Sequence, residues 1–367
     1  MNKSLLSVIS TMAVFTATLD AADRFWRASN DGTTGDSYLD GTKYDGVAPL
    51  SGERVVLTGN DVSDTTVIYL DQAAPSSSNL EMRDRGATFE VRTGGSLAAP
   101  VTTYVNTSNQ GNFKLAVKGG SLSIQDFNLS GAGSTRFSVE VTSGSLLFTG
   151  STALDGVSLK DGASMALSGG VTNLGVTSGA IGDFRLANGS ANGNLNWTGG
   201  TLRGVNRFQG DDLTNMTVTN GGGILYVNNN IRTDDKASYN NGTGTIVFAI
   251  EAAGNTNAQL SQFTNGGVWN LSAGMVAVDF GAHTPIVGNS WDFTTLTAGP
   301  TGFLASTSNV SSLSADNQWN VTWNTSQWVS SGILSIDGVT AVPEPANVAL
   351  ILAGLTFGLA SYRRMRR

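Results

Sequence analysis

The 367-residue chain contains no cysteine and only one histidine, and only 13% of its residues are charged. Without cysteine the chain can form neither a disulfide framework nor a thiolate metal site, and it has no thiol nucleophile. The charged fraction is well below the roughly 25% typical of soluble domains. Apolar residues still make up 40% of the chain. That is too much for a disordered polymer, so we expect a folded protein stabilised by backbone pairing and packing.

Few residues are available for acid–base chemistry. His283, the one histidine, stands between Gly281 and Pro285 without a serine elbow or an HExxH motif around it, so it has little support as a general base or metal ligand. Asp211 and Asp212 are similar to the adjacent carboxylates of β-helix polysaccharide hydrolases, since glycosidic cleavage needs two carboxyl groups at a set separation. The residues that follow them are neutral, which favours a turn in which the carboxylates accept backbone N–H bonds.

A glycine-rich stretch near the N-terminus gathers four aspartates: Asp31, Asp36, Asp40 and Asp45. Their oxygens could contribute to a Ca²⁺ site, which needs about six to eight hard ligands. The stretch lacks both the EF-hand spacing and the Gly-Gly-x-Gly-x-Asp nonapeptide of calcium β-rolls. The chain also has no phosphate-binding loop and no dinucleotide fingerprint. We therefore expect no cofactor and assign no metal ligands, and calcium stays an open alternative.

The charge of the chain is unevenly distributed. The whole chain carries −7, and because the last 25 residues contribute +3 and the first 22 are neutral, residues 23–342 carry −10. Such an acidic body argues against binding nucleic acid or anionic lipid through a basic patch. Its polar surface must come largely from Ser, Thr, Asn and Gly.

A repeat of about two dozen residues follows from the apolar pattern. Alternating runs begin at Phe89, Phe113 and Phe137, as strands with one buried face require. Each run is followed by a turn containing Gly and Ser and then by a leucine: Leu97, Leu122 and Leu146. The repeating unit is therefore strand, Gly-Ser turn, strand.

Weaker copies continue the repeat. They end at Met165, Ile181, Leu202 and Leu225. Because no proline occurs between residues 101 and 284 and no helical periodicity is present, the pattern predicts an all-β, right-handed parallel β-helix with two or three short strands per coil. A β-sandwich is the alternative, since many short strands with turn signals can also fold that way. Leucine-rich repeats share the length but need a denser leucine pattern.

The flanking segments predict end caps. We expect an N-terminal cap over residues 23–75, solenoid coils over 76–250 and a C-terminal β cap over 251–341. The opening, with Phe25-Trp26, a Gly/Asp loop and a Pro-containing turn, resembles the start of autotransporter-like β-helix passenger regions. An open solenoid end needs a cover for its unpaired backbone. Five tryptophans suit that purpose, with sugar-stacking platforms as the alternative: Trp269, Trp291, Trp319, Trp323 and Trp328.

The N-terminus predicts export. Lys3 supplies a basic start, Leu5–Ala17 forms an apolar run, and small residues follow it. We assign residues 1–22 as a signal peptide with cleavage between positions 17 and 23.

The last 26 residues form an ordered set of three elements. Pro343, Glu344 and Pro345 make an extended segment, because each proline fixes its own φ and disfavours helix in the residue before it. Residues 346–362 carry no charge and would give roughly 25 Å of helix, just short of a typical membrane span. The arginines beyond should stay on the cytoplasmic side of a membrane. They are Arg363, Arg364, Arg366 and Arg367.

This order of elements resembles the PEP-CTERM sorting signal of Gram-negative bacteria. The resemblance covers residues 342–367 and rests on Pro343, Glu344 and Pro345, the apolar segment and the arginine tail. It implies recognition and cleavage by an exosortase, a membrane cysteine protease, during delivery to the envelope or the extracellular matrix. A plain tail anchor that happens to follow a Pro-Glu-Pro sequence is the alternative.

Together these features predict an exported cell-surface or matrix protein with a structural or adhesive role and no enzymatic activity. We expect as partners an exosortase-type protease, a membrane through the C-terminal helix, and an extracellular polysaccharide. A β-helix polysaccharide hydrolase or lyase, or a glycan-binding adhesin, is the alternative. The enzyme predicts carboxylates and basic groups clustered on one exposed sheet face. The structural protein predicts faces of Thr, Ser and Asn with no perturbed pKa.

Overall fold

The structure is a computed structural model. It describes residues 23–26, 35–44, 46–58, 66–77, 79–83, 87–99, 102–105, 113–124, 127–129, 137–149, 156–159, 164–174, 183–185, 194–210, 216–234, 236–250, 258–262, 266–297, 299, 302–314 and 319–342.

These residues are almost entirely strands and turns. In chain order the strands are β1 (Asp23–Phe25), β2 (Asp36–Ser37), β3 (Arg54–Thr58), β4 (Val67–Leu70), β5 (Asn79–Arg83), β6 (Ala87–Arg92), β7 (Ser96–Ala99), β8 (Thr102–Val105), β9 (Phe113–Ile124), β10 (Phe127–Leu129), β11 (Phe137–Phe148), β12 (Gly156–Leu159), β13 (Ser164–Asn173), β14 (Asp183–Arg185), β15 (Asn194–Arg203), β16 (Arg207–Gln209), β17 (Met216–Thr219), β18 (Ile224–Val227), β19 (Ile231–Asp234), β20 (Ala237–Asn240), β21 (Thr245–Ala249), β22 (Leu260–Gln262), β23 (Trp269–Leu271), β24 (Met275–Asp279), β25 (Ser290–Asp292), β26 (Phe303–Ala305), β27 (Val310–Ser314), β28 (Trp319–Asn324) and β29 (Ile333–Ala341). One turn of helix, α1, spans Trp328–Ser331, and short 3-10 turns lie at Gly41–Lys43 and Thr307–Asn309.

Most strands pair in parallel with the equivalent strand of the next coil. The parallel part of the largest sheet runs β2-β4-β6-β9-β11-β13-β15-β18-β21-β24-β27, with β7 pairing β9 beside it, and the sheet continues through β28, β29 and β25. Three further parallel sheets run β1-β3-β5-β8, β10-β12-β14-β16-β19-β22 and β17-β20-β23-β26. This is a β-solenoid, as the repeat predicts. A β-sandwich is excluded for these residues, because its sheets are built from antiparallel strands.

The leucines that follow the Gly-Ser turns form an aligned column inside the solenoid. Leu97 faces Leu122, and Leu122 faces Leu146. All three are at most 3% exposed. The column continues through Thr172, Leu202 and Leu225. Stacking like residues on successive coils gives the coils a buried apolar face, so the prediction is confirmed for the leucines of this column, whereas Ile181 lies outside the described residues.

The alternating runs that contain Phe89, Phe113 and Phe137 are not all aligned at their phenylalanines. Phe113 does face Phe137 across β9 and β11, but the residue that faces Phe113 on β6 is Ala87. Phe89 faces Leu115 instead. Because side chains alternate between faces with a period of two, a shift of two residues keeps Phe89 on the inner face, where it is fully buried.

A second register assignment is also corrected. Met165 faces Val139, in the first half of the repeat, and therefore does not continue the leucine column. The residue of that coil in the column is Thr172. The Gly-Gly pair that marks the turn of this coil, Gly169-Gly170, lies within β13 after Met165.

Close contact between coils explains a glycine at the turn. Gly144 has a φ of +81°, which disfavours any residue with a Cβ. A Cβ added there would meet the carbonyl oxygen of Gly120 in the coil below at 2.1 Å. The backbones therefore approach each other at the bend more closely than a side chain would allow.

The first coils begin near the N-terminal end of the described chain. β1 pairs in parallel with β3, and β2 with β4, so stacking is already present within the segment expected to be a cap. An aromatic cluster lies inside these coils. Trp26 packs edge-on against Tyr44 at 5.3 Å, and Tyr38 lies 5.5 Å from Phe89.

Pairing becomes antiparallel at the C-terminal end. β27 pairs with β28, β28 with β29, and β29 with β25, all antiparallel. Helix α1 places Trp328 against Phe303 at 5.3 Å and Phe248 at 6.5 Å, and Trp328 is fully buried. The last parallel coils are thus continuous with an aromatic layer.

Candidate functional site

The outer face of the largest sheet carries a charged cluster on β6, β9 and β11. Glu90 accepts hydrogen bonds from Lys118 at 2.5 Å and from Arg92 at 2.9 Å. Lys114 pairs with Glu140 on the next coil at 2.6 Å. Ala116 lies in register between Glu90 and Glu140 and is fully buried, although it is on the outer face. These long side chains therefore lie flat on the sheet and join neighbouring coils.

The ionisation of Glu90 is set by this cluster. Burial raises its pKa, but hydrogen bonds and charges from Lys118 and Arg92 more than offset that effect and hold the pKa below its usual value. The expectation of outer faces without a perturbed pKa is therefore wrong here. A carboxyl group held in its ionised form is a weak proton acceptor and no proton donor near neutral pH, so the cluster is poorly suited to acid–base catalysis. Its geometry fits a structural role better, as hydrogen bonds and ion pairs that join one coil to another. We call such an interaction a tie.

A shallow groove lies beyond the turn, on β7 and on the second halves of β9 and β11. Ser96, Ser121 and Ser145 face one another across β7, β9 and β11, and Ser123 stands in the adjacent column. The groove has a volume of about 340 Å³. We call it the serine groove, and it is lined by Ala74, Ser76, Ser96, Leu97, Ala98, Ser121, Leu122, Ser123, Ser145 and Leu147. None of these residues is ionisable, so any ligand would be held by hydroxyl hydrogen bonds and apolar contact.

A further tie crosses the outer face near the C-terminal end. The Tyr226 hydroxyl donates to Asp279 Oδ2 at 2.5 Å. Burial, followed by this hydrogen bond, raises the pKa of Tyr226, so it stays protonated at physiological pH. Val247 of the intervening strand β21 is in register with Tyr226, and Ala249 of the same strand is in register with Asp279. The phenol must therefore cross β21 to reach Asp279.

On the sheet that contains β3, ion pairs between arginine and glutamate also join neighbouring coils. Arg24 donates two hydrogen bonds to Glu53, at 2.7 and 2.8 Å, and Leu50 N donates a third at 2.8 Å. The bonds from Arg24 outweigh the effect of burial and hold the pKa of Glu53 below its usual value. Arg54 pairs with buried Glu81 one coil further on. These carboxylates are used to join coils.

Two buried asparagines satisfy the backbone at the turns. Asn220 accepts from Gly223 N at 2.8 Å and donates to Gly223 O at 3.0 Å. Asn241, one coil on, donates to Met275 O at 3.0 Å. The Tyr239 hydroxyl joins the two, donating to Asn241 at 3.1 Å and lying 3.2 Å from Asn220 Nδ2. Both asparagines are fully buried, so they are structural.

His283 has the surroundings of a structural residue. Its Nε2 lies 3.2 Å from Asn289 Oδ1, and its ring packs edge-on against Trp291 at 5.8 Å. Its backbone N–H donates to Phe280 O at 2.7 Å. No acidic side chain makes a hydrogen bond to this ring within the described chain, so the arrangement resembles no catalytic dyad.

The aspartate candidates are only partly visible. Asp36 pairs with Lys43 at 3.2 Å, and Asp40 caps the turn at Gly41–Lys43 by accepting from Thr42 N at 3.0 Å. Both carboxylates are thus used within the fold. Within the described ranges no group of three or more His, Cys, Asp or Glu side chains could hold a metal ion. Four of the candidates lie outside those ranges: Asp31, Asp45, Asp211 and Asp212.

The sorting motif also lies outside the described residues, which end at Val342. This applies to Pro343, Glu344 and Pro345, to residues 346–362, and to the arginine tail Arg363, Arg364, Arg366 and Arg367. The signal peptide assigned to residues 1–22 is outside them too. Among the residues described, no helix is long and apolar enough to cross a membrane.

The five C-terminal tryptophans are mostly inside the fold. Trp269, Trp291 and Trp328 are at most 2% exposed. Trp323 stacks on Phe280 at 5.9 Å and is half-buried, as is Trp319. The three buried rings offer no free face to a sugar, so only Trp319 and Trp323 retain that alternative.

Sequence reasoning missed the ties across the outer face and the serine groove. The partners of a tie are on different coils, and only the register of the strands brings them together. Comparison of the chain with family models, curated proteins and solved structures gave no match. The class that the described residues define is therefore the β-solenoid itself, with hydrogen bonds and ion pairs between coils and a hydroxyl-lined groove on its outer surface.

Proposed function

We propose that the chain is an exported structural and adhesive rod, displayed at the cell surface or in the extracellular matrix. The observation that supports this most directly is the use of outer-face ionisable groups as ties between coils, as in Glu90 with Lys118 and Tyr226 with Asp279. Such ties stiffen a solenoid whose coils otherwise contact only their neighbours. In this proposal the coils wind in the right-handed sense usual for parallel strand connections, and the antiparallel strands form the C-terminal cap.

Delivery in this proposal depends on the C-terminal sequence. Pro343, Glu344 and Pro345 form the recognition segment for an exosortase-type protease, residues 346–362 enter the membrane as a helix, and the arginine tail stays in the cytoplasm. Residues 1–22 act as the signal peptide. The finding that supports the arrangement is that β29 ends at Ala341, so the recognition segment directly follows a folded strand.

The adhesive part of the proposal rests on the serine groove. Its hydroxyl groups recur once per coil, about 4.8 Å apart along the solenoid axis. A neutral extracellular polysaccharide offers hydroxyls at repeated intervals and would match such a row. We expect replacement of Ser96, Ser121 and Ser145 by alanine to weaken retention on neutral polysaccharide, whereas Ser164→Ala, on another outer column, should not.

The alternative is a polysaccharide-active enzyme. The observation that favours it is the group of carboxylate and basic side chains around Glu90 on one outer sheet face. Turnover of a polysaccharide distinguishes this enzyme from a structural protein. We expect no release of reducing ends from polysaccharides by the purified protein, and no difference when Asp211 and Asp212 are both replaced by asparagine. Turnover that disappears in a stably folded Asp211→Asn/Asp212→Asn protein, or in Glu90→Gln, would establish the enzyme instead.

Localisation in the native host tests the delivery proposal. Replacing Pro343, Glu344 and Pro345 by alanine should leave the protein in the membrane and remove it from the cell surface and the medium. Asp337→Asn, an exposed change in the preceding strand, is the matched control and should leave the distribution as in the unmodified protein. An unchanged distribution for the triple variant would contradict delivery through this motif.

A further inference from the structure

The two most exposed large apolar side chains of the described residues are adjacent. Ile286 is 58% exposed and Val287 is 61% exposed. Single exposed apolar residues are common and need no explanation. Two β-branched residues at a turn are unusual, since Gly, Asn, Asp and Ser are the preferred turn residues. We call Ile286 and Val287 the apolar tip.

The apolar tip is held rigidly. Asn289 N donates to Ile286 O at 3.0 Å, and Ile286 N donates to Asn289 Oδ1, also at 3.0 Å. Gly288 has a φ of +90° and nothing within 4 Å of an added Cβ, so the turn projects into open space. A preformed tip loses little conformational freedom when it binds.

The apolar tip lies toward the end of the fold from which the C-terminal segment leaves. β25 is antiparallel to β29, with Ser290 opposite Ser335, and Gly288 N donates to Ile336 O at 2.9 Å. Residues that precede Ser290 therefore lie beside the part of β29 that leads to Ala341. The chain leaves the described fold one residue later, at the exposed Val342.

The distances allow the apolar tip and the start of the uncharged segment at Ala346 to reach the same membrane surface. Continuing the register places Val287 beside Gly338, three residues and roughly 10 Å from Ala341. Ala346, where the uncharged segment begins, is five residues beyond Ala341 and can lie up to about 17 Å from it. The link is thus longer than the offset between the apolar tip and the chain exit.

The charge at this end of the protein determines which kind of lipid surface it can contact. The sequence has no Lys or Arg between Lys236 and Arg363, and Asp337 is exposed on the strand beside the apolar tip. Attraction to anionic headgroups is therefore unavailable at this end. We propose that, before the C-terminal segment is cleaved, Ile286 and Val287 insert into the interface of the zwitterionic bilayer that holds residues 346–362, steadying the rod at its base. This inference rests on the proposed membrane insertion of the C-terminal segment.

Fluorescence quenching tests the insertion in the full-length chain. Because the protein has no cysteine, Val287→Cys provides a unique site for a polarity-sensitive dye. The labelled protein is reconstituted in phosphatidylcholine vesicles containing a lipid-attached quencher. Val47→Cys, at a site 45% exposed near the N-terminal end, is the matched control. We expect several-fold stronger quenching at position 287 than at position 47, unchanged by salt.

Vesicle flotation separates a failure of the apolar-tip insertion from a failure of the proposed membrane insertion of residues 346–362. If the protein floats with the vesicles and position 287 is quenched no more than position 47, the insertion is overturned and the membrane segment stands. If the protein does not float, both are overturned. A dye at position 287 that is shifted to the blue but not reached by the quencher would mean that residues 346–362 cover the apolar tip instead, which also overturns the insertion.

Discussion

The Tyr226 hydroxyl donates to Asp279 across an entire intervening strand. Tyr226 belongs to β18 and Asp279 to β24, and β21 lies between them in the sheet. Two strand spacings amount to about 10 Å, so the bond joins coils that have no backbone contact with each other. The bond crosses β21, whose Val247 is in register with Tyr226 and whose Ala249 is in register with Asp279.

Removing this hydroxyl should destabilise the solenoid locally. A hydrogen bond to a charged group contributes about 1.5–3 kcal/mol, and loss of the donor leaves Asp279 less well satisfied. We expect Tyr226→Phe to lower the free energy of unfolding by about 2 kcal/mol, measured by urea denaturation. Tyr69→Phe is the matched control, because the Tyr69 ring stacks under Arg92 at 4.3 Å and keeps that contact. Equal effects of the two changes would contradict the role of the tie.

Thr172 interrupts the leucine column and provides a test with the opposite sign. It is 2% exposed, and its hydroxyl finds no hydrogen-bond partner within the described part of the chain. A buried hydroxyl without a partner costs about 1–3 kcal/mol. Thr172→Val keeps the shape and removes the hydroxyl, so we expect stabilisation by about 1 kcal/mol in the same denaturation assay. Thr217→Val, at an exposed position, should change stability by less than about 0.5 kcal/mol. Destabilisation by Thr172→Val would contradict the assignment of Thr172 as a buried residue whose hydroxyl has no hydrogen-bond partner.

Gly223 tests how closely the coils pack. It is buried, and a Cβ there would lie 1.9 Å from Trp197 Nε1. The indole is itself 2% exposed and has little room to move. We expect Gly223→Ala to destabilise the protein by about 1–3 kcal/mol through overpacking. Gly338→Ala is the control, since its Cβ would meet Thr322 at an ordinary 3.4 Å. Melting temperatures measured by circular dichroism compare the two, and a Gly223→Ala protein as stable as Gly338→Ala would show that the indole is not confined.

The Arg24–Glu53 pair predicts a pH dependence of stability. Because the pKa of Glu53 is lower in the folded protein than in the unfolded chain, its contribution is present above the unfolded value of about 4.3 and is lost as the pH falls below it. We expect Glu53→Gln to flatten the decrease in stability below about pH 4.5, as measured by urea denaturation at several pH values. Arg24→Gln should flatten it as well. An unchanged slope in both variants would contradict this source of acid sensitivity.

The sequence predicted the solenoid because its strongest signal, a Gly-Ser turn followed by leucine, marks the same point in successive coils. Leu97, Leu122 and Leu146 could be aligned for that reason. The alternating runs before the turn allow a shift of two residues without a change of face, and Phe89 is displaced by two residues from Phe113 in this way. Where a coil replaces leucine by Thr172, the pattern gave no signal and Met165 was assigned in its place.

The candidate site was less predictable than the fold. Tyr226 and Asp279 are 53 residues apart, and Glu90 and Lys118 are 28 apart. Nothing in the composition near either residue indicates its partner, because the partner is determined by coil length and strand register together. The serine groove depends equally on register, since its serines come from different coils.

The mass of the C-terminal peptide of the mature protein, from the envelope and medium fractions of the native host, tests sorting most directly. Trypsin is unsuitable because no Lys or Arg occurs between Lys236 and Arg363, so a protease that cuts before aspartate should be used to release the peptide that begins at Asp337. We predict that this peptide ends between Val342 and Ala346 in the surface and medium fractions. Recovery of a peptide ending at Arg367 in the membrane, with no shorter form, would contradict sorting and establish a permanent tail anchor.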